Sequence, residues 1–256
     1  MYVKFLLLFF ILYTASPAEE YANAKQACAS GDYTRCTLLG YLYKSGFTID
    51  RDYEKSVTYY TKSCEGENAF GCAGLGYMYQ YAKGVTKDVS KAFKYYAFGC
   101  KGGASFACSN LGLLYQYGQG TPVDYTKAMA FYKKGCEGGD AFGCSNLGLL
   151  YYQALGVKQD YAIAIKLFTQ SCKDGHGGAC TNLGVMYKKG DGLQKDDEKA
   201  MELFTQACDG YSAIGCLFLG KMYEDTKSNT KNAIQSKHLY QKACNLGNKV
   251  GCELLK

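Results

Sequence analysis

The residues most able to do chemistry in this chain are its fourteen cysteines. They stand in pairs eight positions apart, and the pairs recur every thirty-six positions without a slip: Cys28/Cys36, Cys64/Cys72, Cys100/Cys108, Cys136/Cys144, Cys172/Cys180, Cys208/Cys216 and Cys244/Cys252. Thiols so arranged could hold zinc or oxidise to disulfides. A structural zinc site wants four ligands. The chain has only two histidines, His176 in a turn and His238 in a helix, and neither place carries a histidine in any other unit. No metal and no cofactor are therefore expected. An even number of cysteines in an exported chain reads as a disulfide framework, and only pairing within each eight-residue spacing gives every unit the same bond. Eight residues of continuous helix would hold the two Cα atoms about 12 Å apart. A disulfide needs them within about 7 Å. Each intervening segment must therefore turn, and Glu65-Gly66-Glu67-Asn68, Lys101-Gly102-Gly103 and Glu137-Gly138-Gly139-Asp140 have the composition of turns.

Export is read from the first eighteen residues. A short segment with one positive charge, Lys4, precedes nine apolar residues, Phe5 to Tyr13, and then small residues ending in Ala18. This is the pattern of a cleaved secretory leader over residues 1–18. The apolar run is too short for an anchor, since crossing the hydrocarbon core takes about 20 residues. A secreted or periplasmic protein without a membrane anchor is expected, and a monomer. The net charge of +6 comes from scattered lysines, so nucleic acid is not an expected partner.

The elements that position the cysteines follow from aligning the units. Three residues after the second cysteine of the first six pairs stands a leucine (Leu39, Leu75, Leu111, Leu147, Leu183, Leu219), then a glycine (Gly40, Gly76, Gly112, Gly148, Gly184, Gly220), and three further on a tyrosine (Tyr43, Tyr79, Tyr115, Tyr151, Tyr187, Tyr223). Cysteine, leucine and tyrosine at i, i+3 and i+7 share one face of a helix, helix A of each unit. A glycine inside a helix costs about 1 kcal/mol, so six at one position imply the close approach of a neighbouring helix. A polar loop leads to Asp52, Asp88, Asp124, Asp160 and Asp196, with Asn232 in the sixth unit. These residue types cap a helix start, and each is expected to open a helix B. Helix B carries a small residue (Ser56, Ala92, Ala128, Ala164, Ala200, Ser236) and then bulky pairs such as Tyr95-Tyr96 and Leu167-Phe168. At helical spacing these read as core. The expected fold is all-α: a right-handed superhelical solenoid of stacked helix-turn-helix repeats. It forms one domain over residues 19–256, with six helix pairs, an opening helix at about 19–28 and a closing helix at 249–256.

The pattern Leu-Gly-x-x-Tyr, a Gly-x-Gly-Val-like loop, Asp, and Lys-Ala before an aromatic resembles the Sel1-like repeat, a relative of the tetratricopeptide repeat. With a Cys-x7-Cys pair in every unit, the chain is similar to the secreted Helicobacter cysteine-rich protein family over essentially its whole mature length. The resemblance implies a binding scaffold. It also implies, for members described so, a penicillin-binding protein or slow β-lactamase linked to peptidoglycan.

The residues weigh the two readings differently. A serine β-lactamase needs Ser-x-x-Lys together with further elements. The chain has one such match, Ser228 to Lys231, in the polar loop of the sixth unit, and a loose third element at Lys44-Ser45-Gly46 in the first. About one Ser-x-x-Lys is expected by chance at this serine and lysine content, and the catalytic residues of any hydrolysis stay unknown. For the scaffold, the inner face of helix A in tetratricopeptide relatives binds extended peptides through asparagines. The corresponding position here is Asn110, Asn146 and Asn182 in successive units. These three either form a ligand ladder or bond neighbouring backbone. Tyr77, Tyr81, Tyr117 and Lys189 project near the same face by helical spacing and complete the candidate surface. The expected partner is a peptide or protein, including a peptidoglycan stem peptide, or a β-lactam.

Overall fold

The computed structural model describes residues 17–225 and 230–255. The expected leader, save Pro17 and Ala18, lies outside the described residues, as does Ser228 of the Ser-x-x-Lys element. Among the described residues the chain forms fourteen helices and no strand. It falls into two compact units, residues 1–103 and 104–256.

The first unit holds α1 (Pro17–Ala29), α2 (Tyr33–Ser45), α3 (Tyr53–Glu65), α4 (Ala69–Gln80) and α5 (Val89–Lys101). The second holds α6 (Ser105–Tyr117), α7 (Tyr125–Glu137), α8 (Ala141–Gln153), α9 (Tyr161–Lys173), α10 (Gly177–Lys189), α11 (Asp197–Asp209), α12 (Ala213–Asp225), α13 (Thr230–Asn245) and α14 (Lys249–Glu253). In both units A and B helices alternate, and consecutive helices pack against each other. None of the described helices is long and apolar enough to cross a membrane.

The recurring leucines of the A helices are all buried, as are the small residues and second aromatics of the B helices. The burial of helix A goes further than the one face expected. In α4 every residue from Gly71 to Gly76 is buried, and Met78 with them. Helix α4 is enclosed because it touches its own B helix α5, the preceding B helix α3 and the flanking A helix α2. The glycines explain how the two helices of a pair come together. A Cβ on Gly112 would stand 2.8 Å from the Tyr132 ring, and one on Gly148 2.9 Å from the Phe168 ring. Gly76 and Gly184 face Tyr96 and Phe204 in the same way. The B-helix aromatic lies flat on a bare stretch of helix A, and a methyl group there would push it out.

The five aspartates do cap their helices. The side chains of Asp52, Asp88, Asp124, Asp160 and Asp196 accept from the backbone N–H three residues on, at 2.8 to 2.9 Å. The backbone N–H of each donates to the carbonyl of the recurring tyrosine before it, Tyr43, Tyr79, Tyr115, Tyr151 or Tyr187, which closes the A-to-B loop. Asn232 departs from the expectation. The α13 helix begins at Thr230, so Asn232 lies inside it instead of capping it. Its loop sequence has no glycine like Gly46, Gly118 and Gly190, which end α2, α6 and α10 in left-handed backbone.

The cysteine turns are as tight as the spacing demands. The Cα atoms of Cys28–Cys36, Cys64–Cys72, Cys136–Cys144, Cys172–Cys180, Cys208–Cys216 and Cys244–Cys252 lie 4.4 to 4.9 Å apart. Cys100 and Cys108 are oxidised too. Every turn has one residue in left-handed backbone at the same place: Gly31, Glu67, Gly103, Gly139, Gly175, Tyr211 and Gly247.

Candidate functional site

A groove opens in the second unit along α8, α10 and α12, three successive A helices. Its volume is about 270 Å3. The helix ends that frame it are set by cap chemistry. Helix α8 starts at Asp140, α10 at His176 and α12 behind Ser212. The Asp140 carboxylate accepts from Gly143 N, the His176 Nδ1 from Ala179 N and the Ser212 Oγ from Gly215 N. Histidine is the bulky member of this series. Its ring stands edge-on to Phe142 of α8, with centroids 5.9 Å apart. Correspondingly, α8 and α10 approach each other less closely than α6 and α8 or α10 and α12 do. Burial disfavours the charged imidazolium and lowers the pKa of His176, while the nearby Asp140 carboxylate pulls the other way.

The walls are apolar: Phe142 and Leu149 from α8, Val185 from α10, Ile214 and Phe218 from α12. Most of the polar groups between them are already engaged. Thr181 Oγ1 donates to Gly177 O at 3.0 Å and lies 2.9 Å from Ser212 Oγ. Asn146 Nδ2 donates to Phe142 O, four residues back in its own helix, at 2.8 Å. Asn182 differs. It lines the groove, is only partly buried, and makes no side-chain hydrogen bond among the described residues. Its carboxamide offers a donor and an acceptor together, the complement of a peptide bond.

The structure therefore brings together two of the residues singled out from sequence, Asn146 and Asn182. Asn110 makes the same bond as Asn146, from Nδ2 to Phe106 O at 2.8 Å, but does not line the groove. The three asparagines differ in the structure: Asn110 and Asn146 each bond their own helix through Nδ2, and Asn182 does not. Lys189 stands apart as well. Its Nζ donates to Tyr152 Oη at 3.3 Å, and that hydroxyl donates to Asp191 at 2.8 Å, fastening α8 to the loop after α10. The hydrogen bond to Tyr152 raises the pKa of Lys189. Tyr117 is exposed at the end of α6.

Tyr77 and Tyr81 lie in the first unit, their ring centroids 4.6 Å apart. Lys44 rests on the same cluster, its Nζ 4.9 Å from the Tyr77 centroid and 5.2 Å from that of Tyr41. Burial lowers its pKa. Ser45 Oγ donates to Leu42 O.

Sequence reasoning missed His176, Ile214 and Phe218 as groove residues. A signal existed for one of them: His176 stands where five of the other turns carry an ordinary capping type, Asp32, Asn68, Asp140, Ser212 or Asn248, and the sixth carries Ala104.

The Sel1 repeat model matches residues 36–68, 69–103, 105–140, 141–176, 178–212 and 213–248. The chain belongs to the Sel1 repeat family. Among solved structures it is similar to the Sel1 repeat protein from Oxalobacter formigenes, at 24% identity and a TM-score of 0.73, over 88% of this chain and 99% of that one. It is also similar to c5321, a protective antigen present in uropathogenic Escherichia coli strains, at 27% identity and a TM-score of 0.65, over 91% of this chain. This chain spans 50% of the c5321 chain. The likeness to the cysteine rich protein B of Helicobacter pylori has 32% identity and a TM-score of 0.41, over 53% of this chain and 97% of that one. No curated protein matches the sequence. In Sel1 terms the groove lies on the A helices of the fourth, fifth and sixth helix pairs.

Proposed function

We propose that this Sel1 repeat chain is a binding scaffold of the cysteine-rich kind, exported to an oxidising compartment, and that the α8–α10–α12 groove takes an extended peptide. The observation that carries the reading is the Asn182 carboxamide, which has no partner among the described residues and stands among apolar side chains. A polar group so placed gains when a ligand supplies its hydrogen bonds. Disulfides in every turn support export, since such bonds persist in secreted and periplasmic proteins. The thirty-six-residue period continues through position 103, which supports reading residues 19–256 as one repeat domain.

Random dodecapeptides displayed on phage and selected on the oxidised protein test this. Asn182→Ala is expected to weaken the selected peptides about tenfold or more, the equivalent of roughly 1.4 kcal/mol. The helical circular dichroism and the urea midpoint should stay in place. Equal binding by the variant would remove the groove from the account. Covalent labelling of a single residue by a fluorescent penicillin, with turnover of nitrocefin, would instead establish the β-lactam alternative.

A further inference from the structure

In the second unit the second helical position of the A-type helices carries a bulky apolar side chain in Phe106, Phe142, Ile214 and Val250. In α10 the residue there is Gly178, and the groove lies over it, with Phe142 on one side and Ile214 on the other. A row of large side chains thus lacks one member where the cavity is found. We infer that the groove selects one uncharged, bulky apolar side chain of an extended peptide, seated over Gly178 and held by main-chain bonds to Asn182. The inference rests on the peptide-binding reading above and names what that peptide must carry.

Size, charge and hydrogen bonding each support it. Pockets for whole small molecules run to about 300–1,000 Å3; this one, at about 270 Å3, suits one large side chain and the backbone beside it. No Asp, Glu, Lys or Arg lines the groove, and the one titratable side chain that does, His176, is held toward its neutral form. A charged ligand side chain would lose its hydration there with no opposite charge to meet it. Thr181 and Ser212 already hold partners within the protein, as does the Asn146 Nδ2; the groups left to bond a ligand, Asn182 foremost with Ser145 beside it, are uncharged, so the walls ask for apolar contact and neutral hydrogen bonds. The floor has little slack, since a Cβ on Gly178 would stand 2.9 Å from the His176 ring. An aliphatic side chain at 178 would occupy the space meant for the ligand. Peptidoglycan stem peptides, with their charged side chains and small alanines, fit this site poorly.

The test uses fluorescein-labelled synthetic versions of the dodecapeptides selected on the whole oxidised protein, read by fluorescence polarisation. One aromatic or large aliphatic position should be shared among them. Replacing that residue by Asp or Lys should weaken binding tenfold or more, and Gly178→Leu should do the same. Ile214 is 52% exposed, so Ile214→Lys charges the wall without disturbing the core and keeps the test valid should Gly178→Leu fail to fold. Selected peptides that depend on Asn182 yet share no apolar residue, or that bind Ile214→Lys unchanged, would overturn the inference while leaving the peptide-binding reading in place. Selection of no peptide at all would overturn both.

Discussion

Three of the aromatics that close helix pairs, Tyr96, Tyr132 and Tyr240, bring a hydroxyl that must be hydrogen-bonded. Tyr132 is wholly buried, which raises its phenol pKa, and its hydroxyl donates to Gln116 Oε1 at 2.6 Å. Tyr96 does the same to Gln80, and Tyr240 to Glu224. Where phenylalanine stands instead, at Phe168 and Phe204, the residues sixteen positions back are Tyr152 and Lys188, neither of them a glutamine or glutamate. A buried hydroxyl without a partner costs about 1–3 kcal/mol. Gln116→Leu is expected to lower stability by that amount in urea unfolding. Tyr132→Phe in the same molecule should restore most of it, because the orphaned group is gone. Equal losses in the single and double variants would show that the pair does not act through this bond. The sequence alone placed the aromatic stripe in the core correctly. It did not reveal the glutamines, because a polar residue near a helix end is ordinarily read as solvent-facing. Asn182 was legible as a candidate from its place in the repeat, but its difference from Asn110 and Asn146 was not. All three share a residue type, and only coordinates show which amides are engaged.

At the scale of elements, helix A, helix B, the loop aspartates and the cysteine turns were all legible, because each is set by local chemistry that recurs. Helix starts read from a capping residue fail where the helix extends past it, as at Asn232. The turn itself carried a further regularity that residue type obscured. Its left-handed position is glycine in Gly31, Gly103, Gly139, Gly175 and Gly247 but not in Glu67 (φ 60°) or Tyr211 (φ 59°). Side chains in this conformation crowd the backbone, at a cost of about 1–2 kcal/mol. Glycine recovers part of that, offset by its greater freedom when unfolded. Tyr211→Gly is expected to raise the urea midpoint by the equivalent of about 0.5–1 kcal/mol, while Gly139→Tyr should lower it. A drop in stability for Tyr211→Gly would mean that this exposed ring packs favourably enough to outweigh its backbone.

For the whole molecule, the bonds in the turns set how the fold survives. Closing a loop of this length stabilises by about 2.5 kcal/mol in the chain-entropy model, and domains are stable by only about 5–15 kcal/mol in all. Even with imperfect additivity, losing every bond removes most of that margin. Reduction and alkylation should therefore abolish the cooperative urea transition, whereas removing one bond with Cys136→Ala and Cys144→Ala should shift it by about 2–3 kcal/mol. A reduced chain that unfolds at the oxidised midpoint would show that helix packing alone holds the repeats. The architecture was legible at this scale because every unit repeats the same solution. The groove was not, because it arises where the repetition lapses, at His176 and Gly178.

The eight-residue separation has a consequence for how the chain acquires its bonds. Each thiol meets its native partner across one tight turn, and short contour lengths favour encounter. The next wrong partner is twenty-eight residues along the chain. A chain made from its N-terminus finishes one pair well before the next thiol emerges. Correct connectivity is thus the kinetically nearest one, and oxidation can proceed turn by turn without a shuffling catalyst to undo mistakes.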